Sequence, residues 1–410
     1  MNKKFFYSSL LEDFIFYLCC LNFNEAIIRF RKFKKSDFKK LILKIIELRL
    51  SGIFLEFLKQ VEEIPFREET FYKRFLKRHS FVTKKNILFY EDCINISNQL
   101  EKSKLTNKFL KGVPLSLNNY KKIHLREIRD VDLLVEQSEL KLVIQELENI
   151  GFYWTKNPKI KLKEIELDSN KYYDTPELIN ANGTKIELHF QLGKVRPELE
   201  EIIRKEILSC SEKACIGNNR LSVADNLSNF MHLLYHGISK ELFNPGPVFI
   251  TDVCFLLSEV DHHDLLKKIN KAGLTKEFYL IISIINVYSK TKYFTKELEE
   301  LNFYSNQKEE ISSSKNLLMN RIIGNEFAPY FLSTTFKQLF LLFFNLLFVT
   351  RTQLSHKYST SKKNLNFWKL NSIRLLEISK MFFKQLFKML FLPYSLKEIK
   401  DLRKLNKYLA

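Results

Sequence analysis

The segment Leu125 to Val135, LREIRDVDLLV, sets two aspartates, Asp130 and Asp132, two positions apart among residues that favour strands. Alternate side chains of a strand share a face, so both carboxylates of such a strand point the same way. Two close acids oppose each other's charge unless a cation lies between them, and oxygen-lined sites of that kind suit Mg²⁺. The segment therefore predicts a strand over Ile128 to Val135 that carries a metal site on one face.

Around this strand the periodicity changes twice. Leu41, Ile45, Ile46, Leu48 and Leu50, then Phe54, Phe57 and Leu58, recur at spacings of three and four with charged residues between them, the mark of amphipathic helices. Val82 to Leu105 continues as one more helix. From Phe109 to Gln191 strands alternate with a helix. Ser138 is placed to cap that helix, Leu140, Val143, Ile144 and Leu147 form its apolar stripe, and Gly151 suits the left-handed residue beyond its end, so it is predicted over Glu139 to Ile150. Glu177 to Asn180 and Thr184 to Gln191 flank Asn182-Gly183, which predicts a hairpin with a two-residue type I′ turn. That hairpin fixes the face on which Glu187 and His189 lie. Helical periodicity then returns, broken at Asn244-Pro245-Gly246-Pro247.

The expected fold is α+β, with a small mixed β-sheet core over 109–195. An N-terminal helical region over 1–108 precedes it, a helical domain over 196–325 closes the cleft, and a basic, aromatic-rich helical C-terminal region occupies 326–410.

Three motifs stand in order: Phe109-Leu110-Lys111-Gly112, the run from Arg126 through Asp130 and Asp132, and the alternating Lys185-Ile186-Glu187-Leu188-His189-Phe190. Together they resemble the nucleotidyltransferase superfamily, with its polymerase-beta-like fold, and within it the bacterial uncharacterised nucleotidyltransferase family. The resemblance reaches over roughly 40–320 and takes in His236 and Asp252, which read as packing positions in helical sequence. It implies that Asp130, Asp132 and Glu187 hold Mg²⁺ or Mn²⁺ and act in catalysis. It implies nucleotide-binding roles for Lys111, Gly112, Arg126 and His189. The implied reaction moves a nucleoside monophosphate from a nucleoside triphosphate, such as ATP, to a hydroxyl on a small molecule, carbohydrate or protein, and releases pyrophosphate. The chain departs from the wider superfamily pattern where Val113 follows Gly112, the nearest hydroxyl being Ser116.

Composition narrows the alternatives. The net charge of +19 suits nucleotide phosphates, nucleic acid or an anionic membrane, but the lysines are scattered as on a solvated surface. No RRM, KH, zinc-ribbon or helix-turn-helix signature marks a dedicated nucleic-acid module. The 37 phenylalanines read as the bias of an AT-rich genome. Six cysteines without a CxxC pair point away from zinc and toward a reducing cytoplasm. Glu12 and Asp13 interrupt the apolar start, which reads as a first helix rather than a signal peptide. Asp261-His262-His263-Asp264 reads as a polar helix start, because consecutive helical residues diverge.

Leu339 to Val349 is too short for a bilayer, which needs about 20 residues, and reads as a buried helix. Lys380, Lys384 and Lys388 oppose Phe383, Leu386, Phe387 and Leu390 on a basic amphipathic helix, suited to docking on the protein or lying peripherally on a membrane. The alternative to an enzyme is therefore a non-catalytic nucleotide-binding or scaffold protein that acts through 326–410 at a membrane or partner.

Overall fold

A computed structural model describes residues 3–155, 174–320, 366–391 and 395–409, together with Val349, Leu354, Lys357 and Tyr358. It is an α+β fold in which helices surround one small mixed sheet.

The chain starts with α1 (Lys3–Cys19), α2 (Phe23–Phe30), α3 (Phe38–Glu47), α4 (Ser51–Leu58) and the long α5 (Thr70–Lys102). The predicted apolar spacing is what these helices bury: Phe38, Leu41, Ile42 and Ile45 of α3 face inward. Phenylalanines fill this layer, the ring of Phe14 meeting those of Phe57 at 5.4 Å and Phe54 at 6.2 Å, both edge to face.

Strand β1 (Asn107–Leu110) runs into a single helical turn, α6 (Gly112–Pro114). Then come β2 (Val131–Val135), α7 (Leu140–Asn149), β3 (Tyr153–Trp154), β4 (Leu178–Ile179) and β5 (Lys185–His189). The spatial order is β1-β2-β5-β4-β3, with β2 and β5 parallel and the other neighbours antiparallel. Val131, Leu133 and Val135 join Ile186 and Leu188 in a core covered by α5 and α7. The alternate positions, Asp132, Leu134, Glu187 and His189, belong to the opposite face.

Three local expectations shift. Strand β2 begins at Val131 rather than Ile128, because a side chain of α5 holds the preceding backbone: Asn86 donates to the carbonyls of Ile123 and Arg126 at 2.8 Å and accepts from the N–H of Ile128 at 3.2 Å. Helix α7 starts one residue late, with Glu139 rather than Ser138 at the N-cap and no side-chain cap; the Glu139 carboxylate instead accepts from the N–H of Thr106 at 2.7 Å. Gly151 has the expected positive φ of +89°. The hairpin also forms, but among the described residues only Gly183 of its loop takes a positive φ, +79°. Its N–H donates to the carbonyl of Asn180 at 3.0 Å, and the N–H of Asn180 donates to the carbonyl of Thr184 at 3.2 Å. That is a type I turn followed by a left-handed glycine, a three-residue loop rather than a two-residue one.

After the sheet come α8 (Pro197–Ser209), the ribbon β6 (Lys213–Ile216) and β7 (Asn219–Ser222), then α9 (Asn226–Leu234), α10 (Val248–Leu257), α11 (His262–Ala272) and α12 (Thr275–Tyr288). Helices α13 (Thr295–Glu300), α14 (Phe303–Asn306), α15 (Lys308–Asn320), α16 (Phe367–Phe391) and α17 (Ser395–Leu409) follow. Helix α1 packs on α4, α10 and α12, with Phe16 stacked on Tyr288 at 4.9 Å. One apolar core thus joins helices from the start of the chain to α17.

The expected basic amphipathic helix lies within α16, although the side chains of 381–391 lie outside the description. The apolar run from Leu339 to Phe348 also lies outside the described residues. Among those described, no helix is long and apolar enough to cross a membrane.

Candidate functional site

Parallel pairing of β2 with β5 sets Asp132 opposite Glu187 and Leu134 opposite His189. Antiparallel pairing on the other side sets Leu110 opposite Asp132, so Lys111 leaves the sheet beside the same carboxylate. Lys111 takes φ +51° and ψ −111°, a conformation that side chains disfavour, and its ammonium reaches Asp132 Oδ1 at 2.6 Å. His189 Nε2 hydrogen-bonds the same oxygen at 2.9 Å and lies 3.7 Å from Glu187 Oε2. One ligand atom from each of Asp132, Glu187 and His189 falls within 4.8 Å of the others.

The charges of this group are unequal. Burial opposes ionisation of Asp132, but Lys111 and then His189 overcome it and hold the carboxyl well below the usual carboxylate range. Glu187 is pushed the other way by burial and by the charge of Asp132. Asp130 is raised for the same two reasons. Asp130 precedes the first paired residue of β2 yet lines the same cleft, which encloses about 410 Å³. Two carboxylates that resist ionisation beside a third that is ionised are relieved by a divalent cation, and the two acids and one imidazole of Asp132, Glu187 and His189 are a donor set that could hold one.

Arg126 lines the cleft but is engaged elsewhere. Its Nε and Nη2 donate to the two oxygens of Asp252 at 2.8 and 2.9 Å, and the hydroxyl of Tyr120 donates to Asp252 Oδ1 at 2.7 Å. Asp252 thus does more than pack. Gly112 makes room for this pair, since a Cβ there would stand 2.6 Å from Arg126 Nη1. Ser116 is buried and receives the hydroxyl of Tyr90 at 2.5 Å, and Val113 is fully buried, so neither borders the cleft.

The opposite wall comes from α9, α10 and the turn between them. His236 lies there, and behind it His232, buried with no hydrogen bond to Nδ1. Burial and then the charge of Lys111 push both imidazoles well down, which keeps them neutral. The sequence reading did not single out His232, Arg49 or Arg129. Arg49 ends an amphipathic helix between Leu48 and Leu50, a weak signal in a chain with 66 lysines and arginines. Asp261 caps α11 by accepting the N–H of Asp264 at 2.8 Å, and His262 bonds the carbonyl of Leu257 at 2.9 Å, as a polar helix start requires.

A family model described as "Uncharacterised nucleotidyltransferase" matches residues 34–289, more than half of the chain and every residue that borders this cleft. No curated protein matches the chain.

Proposed function

The chain belongs to this uncharacterised nucleotidyltransferase family, and from that premise we propose that it transfers a nucleoside monophosphate from a nucleoside triphosphate to a hydroxyl on a small molecule, carbohydrate or protein. The observation that carries the reading is the parallel register of β2 and β5, which sets Asp132 beside Glu187 and His189 in a cleft that basic and acidic side chains line together. Held by Asp132, Glu187 and His189, with Asp130 near by, Mg²⁺ or Mn²⁺ would neutralise charge on the phosphates.

In the proposed step the acceptor oxygen attacks the α-phosphorus. A new P–O bond forms, the bond to the pyrophosphate oxygen breaks, and pyrophosphate leaves. Glu187 suits the role of proton acceptor, since its side chain is 37% exposed at the cleft beside the proposed metal site. Lys111 brings an ammonium to the same edge, where it can pair with a phosphate oxygen. Arg126 acts as a positioning residue through its bond to Asp252. Leu233, Val248 and Phe249 offer the nucleoside an apolar wall that keeps water from the reacting atoms.

Calorimetric titration of each of the four nucleoside triphosphates, with Mg²⁺ or Mn²⁺, into wild type and Asp132→Asn tests the proposal. Metal-dependent binding that disappears in a folded variant supports it. Wild type that melts cooperatively and binds no triphosphate overturns it.

A further inference from the structure

We propose that Arg49, with Arg129 beside it, forms the subsite for the polyphosphate tail of the triphosphate and for the pyrophosphate product. The N-terminal helices then complete the active site rather than only supporting it. This inference rests on the nucleotidyl-transfer reading above.

The argument starts from the backbone. Leu48 closes α3, and Arg49 follows with φ +62°, the left-handed position that glycine usually fills. Other residues of this chain take the same conformation just past a helix end, Leu21 and Lys104 among them, and what sets Arg49 apart is where its side chain goes. The guanidinium enters the cleft, where Nη2 donates to the carbonyl of Pro245 at 2.6 Å.

Charge is the second argument. Among the described residues Arg49 has no carboxylate partner, whereas Arg126 is matched by Asp252, and Arg78 pairs with Glu127 at 3.2 Å. Burial and then the charges of Arg129 and Arg126 lower the proton affinity of Arg49 to about 10, which leaves it charged at neutral pH. With Arg126 already matched by Asp252, a largely buried Arg49 beside the Arg129 cation is costly unless a further anion joins them. Arg129 is 59% exposed and only 4.0 Å from Glu127 at its closest, so its guanidinium is able to turn toward a ligand. Planar guanidinium groups bind phosphate oxygens two at a time, which fits a diphosphate better than a single carboxylate.

The test is calorimetric titration of inorganic pyrophosphate into the full chain, wild type, Arg49→Gln and Arg49→Lys, with Mn²⁺ binding followed by electron paramagnetic resonance on the same samples. The expected result is a loss of about tenfold to a hundredfold in pyrophosphate affinity for Arg49→Gln, partial recovery for Arg49→Lys, and unchanged Mn²⁺ affinity. Arg49→Lys keeps the charge and loses the paired donors, so it still tests the inference if the glutamine variant does not fold. A folded Arg49→Gln or Arg49→Lys protein that binds pyrophosphate as wild type does overturns the inference. Wild type that binds Mn²⁺ but no pyrophosphate overturns this inference alone, and wild type that binds neither overturns the nucleotidyl-transfer reading with it.

Discussion

Two buried charge clusters border one cleft, and they differ in whether their charges close. Arg126, Asp252 and Tyr120 form a matched set in which both carboxylate oxygens meet guanidinium nitrogens and the phenol adds a third donor. Burial alone would lower the proton affinity of Arg126, yet Asp252 carries it above the ordinary arginine value, and Tyr120 is held well above its own. Around Asp132 the charges do not match. One oxygen receives both Lys111 and His189, while Asp130 and Glu187 have no lysine or arginine within ion-pair distance among the described residues. The closed cluster fixes β2 and its approach to α10; the open one retains capacity for a cation.

The largest expected effect tests the closed cluster. Asp252→Ala strips Arg126 of its partner and should cost about 3–5 kcal/mol in urea unfolding, the usual penalty for breaking a buried pair. Asp132→Asn should cost less in stability and abolish Mn²⁺ binding, because it breaks the site meant for a ligand. Equal loss of stability with metal binding intact in both variants would erase the distinction.

Lys111→Met comes next. It removes the ammonium that neutralises Asp132, so the metal-free protein should lose about 1–3 kcal/mol. Mn²⁺ should then raise the melting temperature of the variant more than that of wild type, since ion and ammonium no longer compete for one oxygen. Gly112→Ala should cost about 1–3 kcal/mol, since its Cβ would stand 2.6 Å from Arg126 Nη1 and press on the closed cluster. Mn²⁺ affinity should be unchanged there, as measured by the same resonance titration.

The smallest effect is the pH dependence of the metal-free protein, and the two kinds of acid have opposite signs. Asp132 ionises more readily in the fold than when unfolded, so its stabilisation is present above the ordinary carboxylate range and is lost as pH falls through its depressed folded value. Asp130 and Glu187 hold protons more tightly in the fold, so their contribution is full below the ordinary range and is lost as pH rises through their raised folded values. Melting temperature should therefore rise slightly as pH drops from neutral toward the ordinary carboxylate range, then fall at lower pH. Mn²⁺ binding should weaken over the first of those intervals as protons take the sites. Glu187→Gln should flatten the rise, and a rise that persists unchanged in Glu187→Gln and Asp130→Asn would place its origin elsewhere.

Much of the frame was legible along the chain. Apolar spacing in α3, α4 and α7 and the strand character of β2 and β5 are local signals, because each element buries a face that its own periodicity sets. The acids were legible for the same reason: Asp132 and Glu187 interrupt apolar strands, where a charge needs a partner. Other details were decided by distant atoms. Asn86 of α5 delays the start of β2, and the N–H of Thr106 takes the carboxylate of Glu139, the N-cap residue of α7, so that no side chain caps the helix. The hairpin dipeptide indicated a turn, but the backbone bond between Asn180 and Thr184 selected which one.

The amino-acid order by itself determined most of the helices, the strand character of β2 and β5 and the α+β class, since these depend on residues a few positions apart, whereas the ribbon of β6 and β7 lies in sequence that reads as helical. Only the tertiary structure decided that Arg126 is matched by Asp252 across 126 positions, that His189 joins Asp132 and Glu187, and that Arg49 reaches the cleft. The physical reason is that burial turns each charge into a demand for a partner, and packing, rather than chain order, determines which groups come close enough to meet it.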